Sequence, residues 1–163
     1  MSSMTGKSVL ITGGGSGIGR GVAKHFVMQG AKVTISGRRE KKLAETSNEM
    51  NGEIAYVVGD VTREDDRKSM IENSVQYGGS LDALISNAGN MYRSDVADLD
   101  EDELLSIFHS NVIAGMMLVK EAYTHLKRSQ GCIIFVGSVH TQRAFPNASP
   151  YAATKGALET LTG

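Results

Sequence analysis

Residues 9–19 read Val-Leu-Ile-Thr-Gly-Gly-Gly-Ser-Gly-Ile-Gly, and five of the seven residues from Gly13 to Gly19 are glycine. Three apolar residues running into such a turn describe a short buried strand that breaks over glycines into a helix N-terminus. The missing side chains let backbone N–H groups approach an anion, and the helix dipole favours negative charge there. A tight turn with no ligand would not need so many glycines. The spacing Thr12-Gly13-x-x-x-Gly17-x-Gly19 differs from the P-loop, which ends in Gly-Lys-Ser/Thr.

The rest of the chain repeats this alternation. Apolar runs at Val9-Leu10-Ile11, Val33-Thr34-Ile35, Ala55–Val58, Ala83-Leu84-Ile85 and Ile133–Val136 suit parallel strands covered on both faces. Helical faces separate them: Ile18, Val22, Ala23, Phe26 and Val27; Leu43, Ser47 and Met50; Met70, Ile71, Ser74 and Val75 after the start signal Thr62-x-x-Asp65. Gly30, Gly52, Gly78-Gly79 and Gly131 stand where helix C-cap glycines belong. The pattern predicts an α/β fold, an open doubly wound parallel sheet with right-handed crossovers, in one domain over residues 1–163. The fourth crossover, Asp98 to Ser129, reads as one long helix with acids at its start and Lys127 and Arg128 at its end. Its section from Val112 to Val119 is apolar all round, which predicts burial on more than one side.

A net charge of −1 gives no electrostatic footprint for nucleic acid or an anionic membrane, and no apolar run reaches a transmembrane length. Met1–Lys7 leaves no room for a signal peptide ahead of the first strand. The lone Cys132 is expected to be an inert core residue, so a reducing, cytoplasmic setting is expected.

The end of the second strand bears on which nucleotide the turn would hold. An NAD site usually places an acid there for the ribose 2′-hydroxyl; here the residues are Ser36-Gly37-Arg38-Arg39-Glu40. Two guanidiniums suit a 2′-phosphate through bidentate, charge-assisted hydrogen bonds. They oppose the helix dipole if they serve nothing else. NADP(H) is favoured over NAD(H), with Glu40 as the residue that could still serve NAD.

A third constellation is Ser138, Tyr151 and Lys155. Pro150 suits a first helical turn, which stacks Tyr151 and Lys155 on one helix face. A phenol is ordinarily too weak an acid for proton exchange near neutrality, and a fixed ammonium favours its phenolate. Ser138 falls just past the fifth strand, at the carboxyl edge where such sheets bind ligands. His140 lies two residues on and could line a substrate pocket; with no partner visible in the sequence it reads as a bystander. His25, His109 and His125 show no ligand spacing, and no metal site is expected.

With these motifs in order, the chain resembles the short-chain dehydrogenases/reductases, single-domain enzymes with a Rossmann fold. Carrying the resemblance are Thr12-Gly-x-x-x-Gly17-x-Gly19, Asp60-Val61, Asn87-Ala88-Gly89, Asn111, Ser138 and Tyr151-x-x-x-Lys155. It implies that Thr12, Gly13, Gly15, Ser16, Gly17, Ile18 and Gly19 form the cofactor's turn, with Arg38 and Arg39 beyond it. Asp60 and Val61 would hold the adenine, and Asn87, Ala88 and Gly89 would close the pocket. Tyr151 would be the acid/base, Ser138 would orient a carbonyl, and Lys155 would grip the nicotinamide ribose. Asn111 would hold a water in a proton relay. The implied reaction is hydride transfer between NADP(H) and a small carbonyl or alcohol, in a homo-oligomer paired through the long fourth-crossover helix and the catalytic helix. Strands one to five are present. A sixth strand, a substrate lid and a seventh strand, which the resemblance also implies, would follow Gly163. The alternative is a truncated, non-catalytic form that binds nucleotide or dimerises.

Overall fold

The computed structural model describes residues 4–143 and 145–162. The expectations for Met1–Ser3, for Ala144 within the loop after Ser138, and for Gly163 lie outside the described residues. Five parallel strands form one sheet in the order β3-β2-β1-β4-β5. They are β1 (Ser8–Thr12), β2 (Lys32–Gly37), β3 (Ile54–Val58), β4 (Ala83–Ser86) and β5 (Cys132–Phe135). Helices α1 (Gly17–Met28), α2 (Glu40–Asn48) and α3 (Glu64–Gly78) make the first three crossovers. The fourth holds α4 (Glu101–Phe108) and α5 (Ala114–Ser129), and α6 (Ser149–Leu161) follows β5. This is a Rossmann-like doubly wound fold.

Although the strand sequences are nearly continuous runs of apolar residues, their side chains still alternate between two cores. Val9, Ile11, Val33, Ile35 and Ile85 pack with Ala23, Val27 and Leu43 on one face of the sheet. On the other, Leu10 and Leu84 pack with Met70, Ile71, Leu118, Ala122 and Leu126. The order in which strands are added reverses between β1 and β4, and Thr12 pins that switch point. Its buried hydroxyl accepts the N–H groups of Asn87 (3.1 Å) and Ala88 (3.0 Å), while Asn87 Nδ2 donates to the Thr12 carbonyl (2.9 Å).

Several sequence expectations are corrected. The fourth crossover is not one helix: a 3-10 turn at Val96–Asp98 precedes α4, and a π turn at His109–Ile113 separates α4 from α5. Asn111 lies in that π turn, where its side chain is drawn into contacts outside the helix. Nor is residues 112–119 covered all round, because Ile113 and Met116 face outward while Ala114, Gly115 and Leu118 are buried. Thr62 forms no capping box; its hydroxyl donates to Asp60 (2.8 Å), and Arg63 is the α3 N-cap. The left-handed C-cap of α5 is Gln130 rather than Gly131. Gly131 instead packs so closely that a Cβ would meet the Asp82 carbonyl oxygen at 2.5 Å. Cys132 is exposed, and Ile133 and Ile134 are partly so, because β5 is an edge strand.

Asp82 ties the N-terminal ends of β1 and β4 together. Its carboxylate accepts from Lys7 Nζ (2.9 Å), the Ser8 N–H (2.9 Å) and the Ser80 hydroxyl (2.7 Å). Burial acts to raise this carboxyl's pKa, but the three donors and the Lys7 charge outweigh it and hold it below the ordinary value. A depressed carboxylate stabilises the fold above its unfolded-state pKa and ceases to as pH falls through the folded one. Asp82→Ala leaves the Ser8 N–H unpaired and is expected to cost about 2 kcal/mol at neutral pH. Chemical denaturation at pH 7 and pH 3 checks this, since the difference between variant and parent shrinks at the lower pH.

Candidate active site

The carboxyl ends of four strands surround a cavity of about 530 Å³ at the switch point. The turn after β1 contributes Gly13, Gly15 and Ser16; the end of β2 and the start of α2 contribute Gly37, Arg38, Arg39 and Lys42. Asp60, Val61 and Thr62 enter after β3, and Asn87, Ala88, Gly89 and Asn90 after β4. Gly13 (φ +69°) and Gly17 (φ +52°) hold left-handed backbone that disfavours side chains. At Gly13 a Cβ would also meet Asn87 Nδ2 at 2.8 Å. The cradle is thus one in which backbone can approach a ligand closely, and it fits a dinucleotide's phosphates.

Other members of the turn act at one remove. Thr12 is spent on the switch-point hydrogen bonds. Gly19 packs under the turn, where a Cβ would lie 2.4 Å from the Gly13 carbonyl oxygen. Gly17, Ile18 and Gly19 open α1 rather than line the cavity.

Cations gather at the β2 end. Arg39 donates to the Ser16 hydroxyl (3.2 Å), linking the second strand's tip to the glycine turn. Arg38 donates to Asn90 Oδ1 (3.3 Å) and stands 3.9 Å from the Asp60 carboxylate. Burial alone would raise the Asp60 pKa, yet hydrogen bonds from the Thr62 N–H and hydroxyl, with Arg38 and Arg63, lower it. Lys42 adds a third cation to the lining, whereas Glu40 does not reach it. The reading of the sequence missed Lys42, although it stands three residues beyond Arg39 on the first turn of α2. It also missed Asn90, Ser106, His109 and Ser110, which join the lining from the loop after β4 and from α4 and its π turn.

Ser138, Tyr151 and Lys155 lie beyond this cavity, past β5 and on α6. Pro150 falls in the first turn of α6, and Tyr151 and Lys155 are stacked one turn apart, with Nζ 5.8 Å from the phenol ring centre. Lys155 is buried and donates to the Val136 carbonyl (2.7 Å), which anchors α6 to the end of β5. Burial holds its ammonium below the ordinary lysine range. Ser138 caps a 3-10 turn, Val139–Thr141. His140 has partners that the sequence did not show: its ring nitrogen Nδ1 lies 3.0 Å from Ser138 Oγ, and its ring meets Tyr151 edge-on at 5.2 Å.

The side-chain amide of Asn111 has no position left for a water. Its Oδ1 accepts from the Asn90 N–H (2.7 Å) and the Ser110 hydroxyl (3.1 Å). Its Nδ2 donates to the Asn90 carbonyl (3.0 Å) and to Thr154 Oγ1 (3.1 Å). The side chain clamps the cavity loop to α6, joining the two halves of the site.

Residues 7–163 match the family model for short chain dehydrogenase. The chain belongs to the short-chain dehydrogenase family. It is 34% identical over 164 residues to an uncharacterised oxidoreductase of Staphylococcus aureus (strain MW2), with 99% of this chain and 71% of that protein aligned. It is 33% identical to bovine (Bos taurus) L-fucose dehydrogenase, covering 96% of this chain and 58% of that protein. A glucose and ribitol dehydrogenase of Daucus carota is also 33% identical, with 98% and 58% covered. A crystal structure of a short chain dehydrogenase from Mycobacterium smegmatis superposes with a TM-score of 0.90 at 31% identity, covering 98% of this chain and 68% of that one. The chain therefore spans between about half and three quarters of the lengths of these short-chain dehydrogenase relatives. Among the described residues no helix is long and apolar enough to cross a membrane.

Proposed function

We propose that the chain carries the cofactor and catalytic machinery of an NADP(H)-dependent oxidoreductase acting on a small carbonyl or secondary alcohol. The observation that supports it most is the junction of two clusters: a glycine cradle lined by Arg38, Arg39 and Lys42, and a Ser138–His140–Tyr151–Lys155 group. A bound nicotinamide would supply or accept the hydride. Gly13, Gly15 and Ser16 would hold its pyrophosphate, Asp60 and Val61 its adenine, and Asn87–Gly89 would close the pocket over it.

The protein's own groups handle the proton. The Tyr151 hydroxyl donates it to the substrate oxygen in reduction and takes it back in oxidation. Lys155, held by the Val136 carbonyl, places positive charge below the phenol, which favours the phenolate. Ser138 donates a hydrogen bond to the same oxygen, where negative charge develops. Asn111 supports the group by fixing the loop after β4 against α6.

The choice of nucleotide rests on charge. Arg38, Arg39 and Lys42 line the cavity at the end of β2 and Glu40 is absent from that lining, although Arg38 stands 3.9 Å from Asp60 and Lys42 pairs with Glu45 (2.8 Å). Arg39→Ala is expected to weaken NADPH binding by about 10- to 100-fold, the loss of one or two charge-assisted hydrogen bonds. NADH binding should change little, and calorimetric titration of both cofactors reads the contrast. Consumption of NADPH against a panel of aldehydes and ketones tests the reaction itself. Saturable binding without turnover would favour the nucleotide-binding alternative.

Assembly follows the same reading. Ile113, Met116 and Tyr123 recur at helical spacing along the outer face of the π turn and α5 and are 48%, 46% and 59% exposed. An apolar stripe of this kind suits a second copy of the chain. Light scattering is expected to give a homo-oligomer that Met116→Lys shifts toward monomer.

A further inference from the structure

We propose that His140 is a positioning residue that makes Ser138 a dedicated hydrogen-bond donor toward the substrate oxygen. The inference rests on the oxidoreductase reading above and assigns His140 a task in that site. A serine hydroxyl has one hydrogen to give and two lone pairs to receive with. His140 addresses Ser138 Oγ twice. Its backbone N–H donates to Oγ at 3.2 Å, and its ring Nδ1 lies 3.0 Å from the same atom. The direction of the second bond depends on which ring nitrogen carries the hydrogen.

The surroundings of the ring settle that direction. Nε2 is buried and has no hydrogen-bond partner among the described residues. The ring is held between Phe145, stacked at 4.2 Å with 28° between planes, and Tyr151, edge-on at 5.2 Å and 87°. With the hydrogen on Nε2, a donor would be buried with nothing among the described residues to receive it, and orphaned buried N–H groups are rare. Nδ1 would then take the only hydrogen of Ser138, leaving that residue with none for a substrate. With the hydrogen on Nδ1, the buried nitrogen is a bare lone pair, the smaller penalty. Both lone pairs of Ser138 Oγ are then filled by His140, and its own hydrogen must point away, free for a carbonyl oxygen. The aromatic contact with Tyr151 keeps that oxygen's second partner in register with the first.

The ring can be read directly. In the full chain with ¹⁵N-labelled histidine, long-range ¹H–¹⁵N spectra report which ring nitrogen is protonated. His140 is expected as the Nδ1–H tautomer, and Ser138→Ala, which removes its acceptor, should shift it toward Nε2–H. An Nε2–H ring in the parent chain, or a tautomer indifferent to Ser138→Ala, overturns the proposal. Kinetics give a second reading. His140→Phe keeps the stacking and the backbone N–H but loses the ring donor, and should lower kcat about tenfold with NADPH affinity unchanged. His140→Asn, whose amide can donate from nearly the same place, should recover most of that loss. Equal kcat in the Phe variant and the parent would count against the proposal. A parent chain that binds no NADPH and reduces nothing overturns the oxidoreductase reading, while the tautomer spectrum still decides the Ser138–His140 assignment.

Discussion

Tyr151→Phe is expected to lower kcat by about three orders of magnitude, within the range that general acid–base catalysis supplies, while NADPH binding stays within about twofold. The substitution removes one oxygen and leaves the ring that His140 meets edge-on and Lys155 underlies. Among the described residues the Tyr151 hydroxyl makes no hydrogen bond, so folding should be preserved and the loss confined to proton transfer. Thermal melting alongside steady-state kinetics separates the outcomes. A parent-like kcat would move the acid/base away from Tyr151, and a collapse of the melting temperature would make its role structural.

Gly19→Ala is expected to damage the cofactor turn with a single added methyl group. The added carbon would lie 2.4 Å from the Gly13 carbonyl oxygen and 2.6 Å from Asn87 Nδ2. The first of these neighbours is backbone and the second is bonded to Thr12, so neither yields without moving the switch point. Overpacking of this kind costs about 1–3 kcal/mol, and displacement of Gly13 and Asn87 disturbs two residues that line the cavity. NADPH affinity is expected to fall at least tenfold, the equivalent of about 1.4 kcal/mol. Gly21→Ala is the matched control: a Cβ there meets nothing within 4 Å, and the position is inside α1. It should raise stability by about 0.5–1 kcal/mol through helix propensity and leave binding unchanged. Denaturation midpoints and titrations on the two variants check both halves.

The contrast between these glycines also shows what a linear sequence can carry. The strand–turn–helix at residues 9–19, the order of elements and the Tyr151/Lys155 stacking all depend on neighbours within about one helical turn, so they were legible. The π turn at Asn111 was not, because its partners Asn90 and Thr154 are 21 and 43 residues away in sequence. Cys132 looked like core because its run is apolar, but exposure depends on sheet order, and β5 lies at an edge. Lys42 was hidden differently: it belongs to a common residue type and acquires meaning only when the cavity is placed beside it. His140 was visible two residues past Ser138, but its contacts with the Ser138 hydroxyl, Phe145 and Tyr151 exist only in the folded loop. Local periodicity thus locates the elements, while the site's second layer is written in contacts between them.

The central claim is that the glycine cradle and the cations beside it select a 2′-phosphorylated nicotinamide dinucleotide. Titration of the unmodified chain with NADPH and with NADH under identical salt, followed by calorimetry, tests it most directly. The account predicts saturable binding of NADPH at least tenfold tighter than that of NADH. Equal or tighter binding of NADH, or no binding of either, would contradict it.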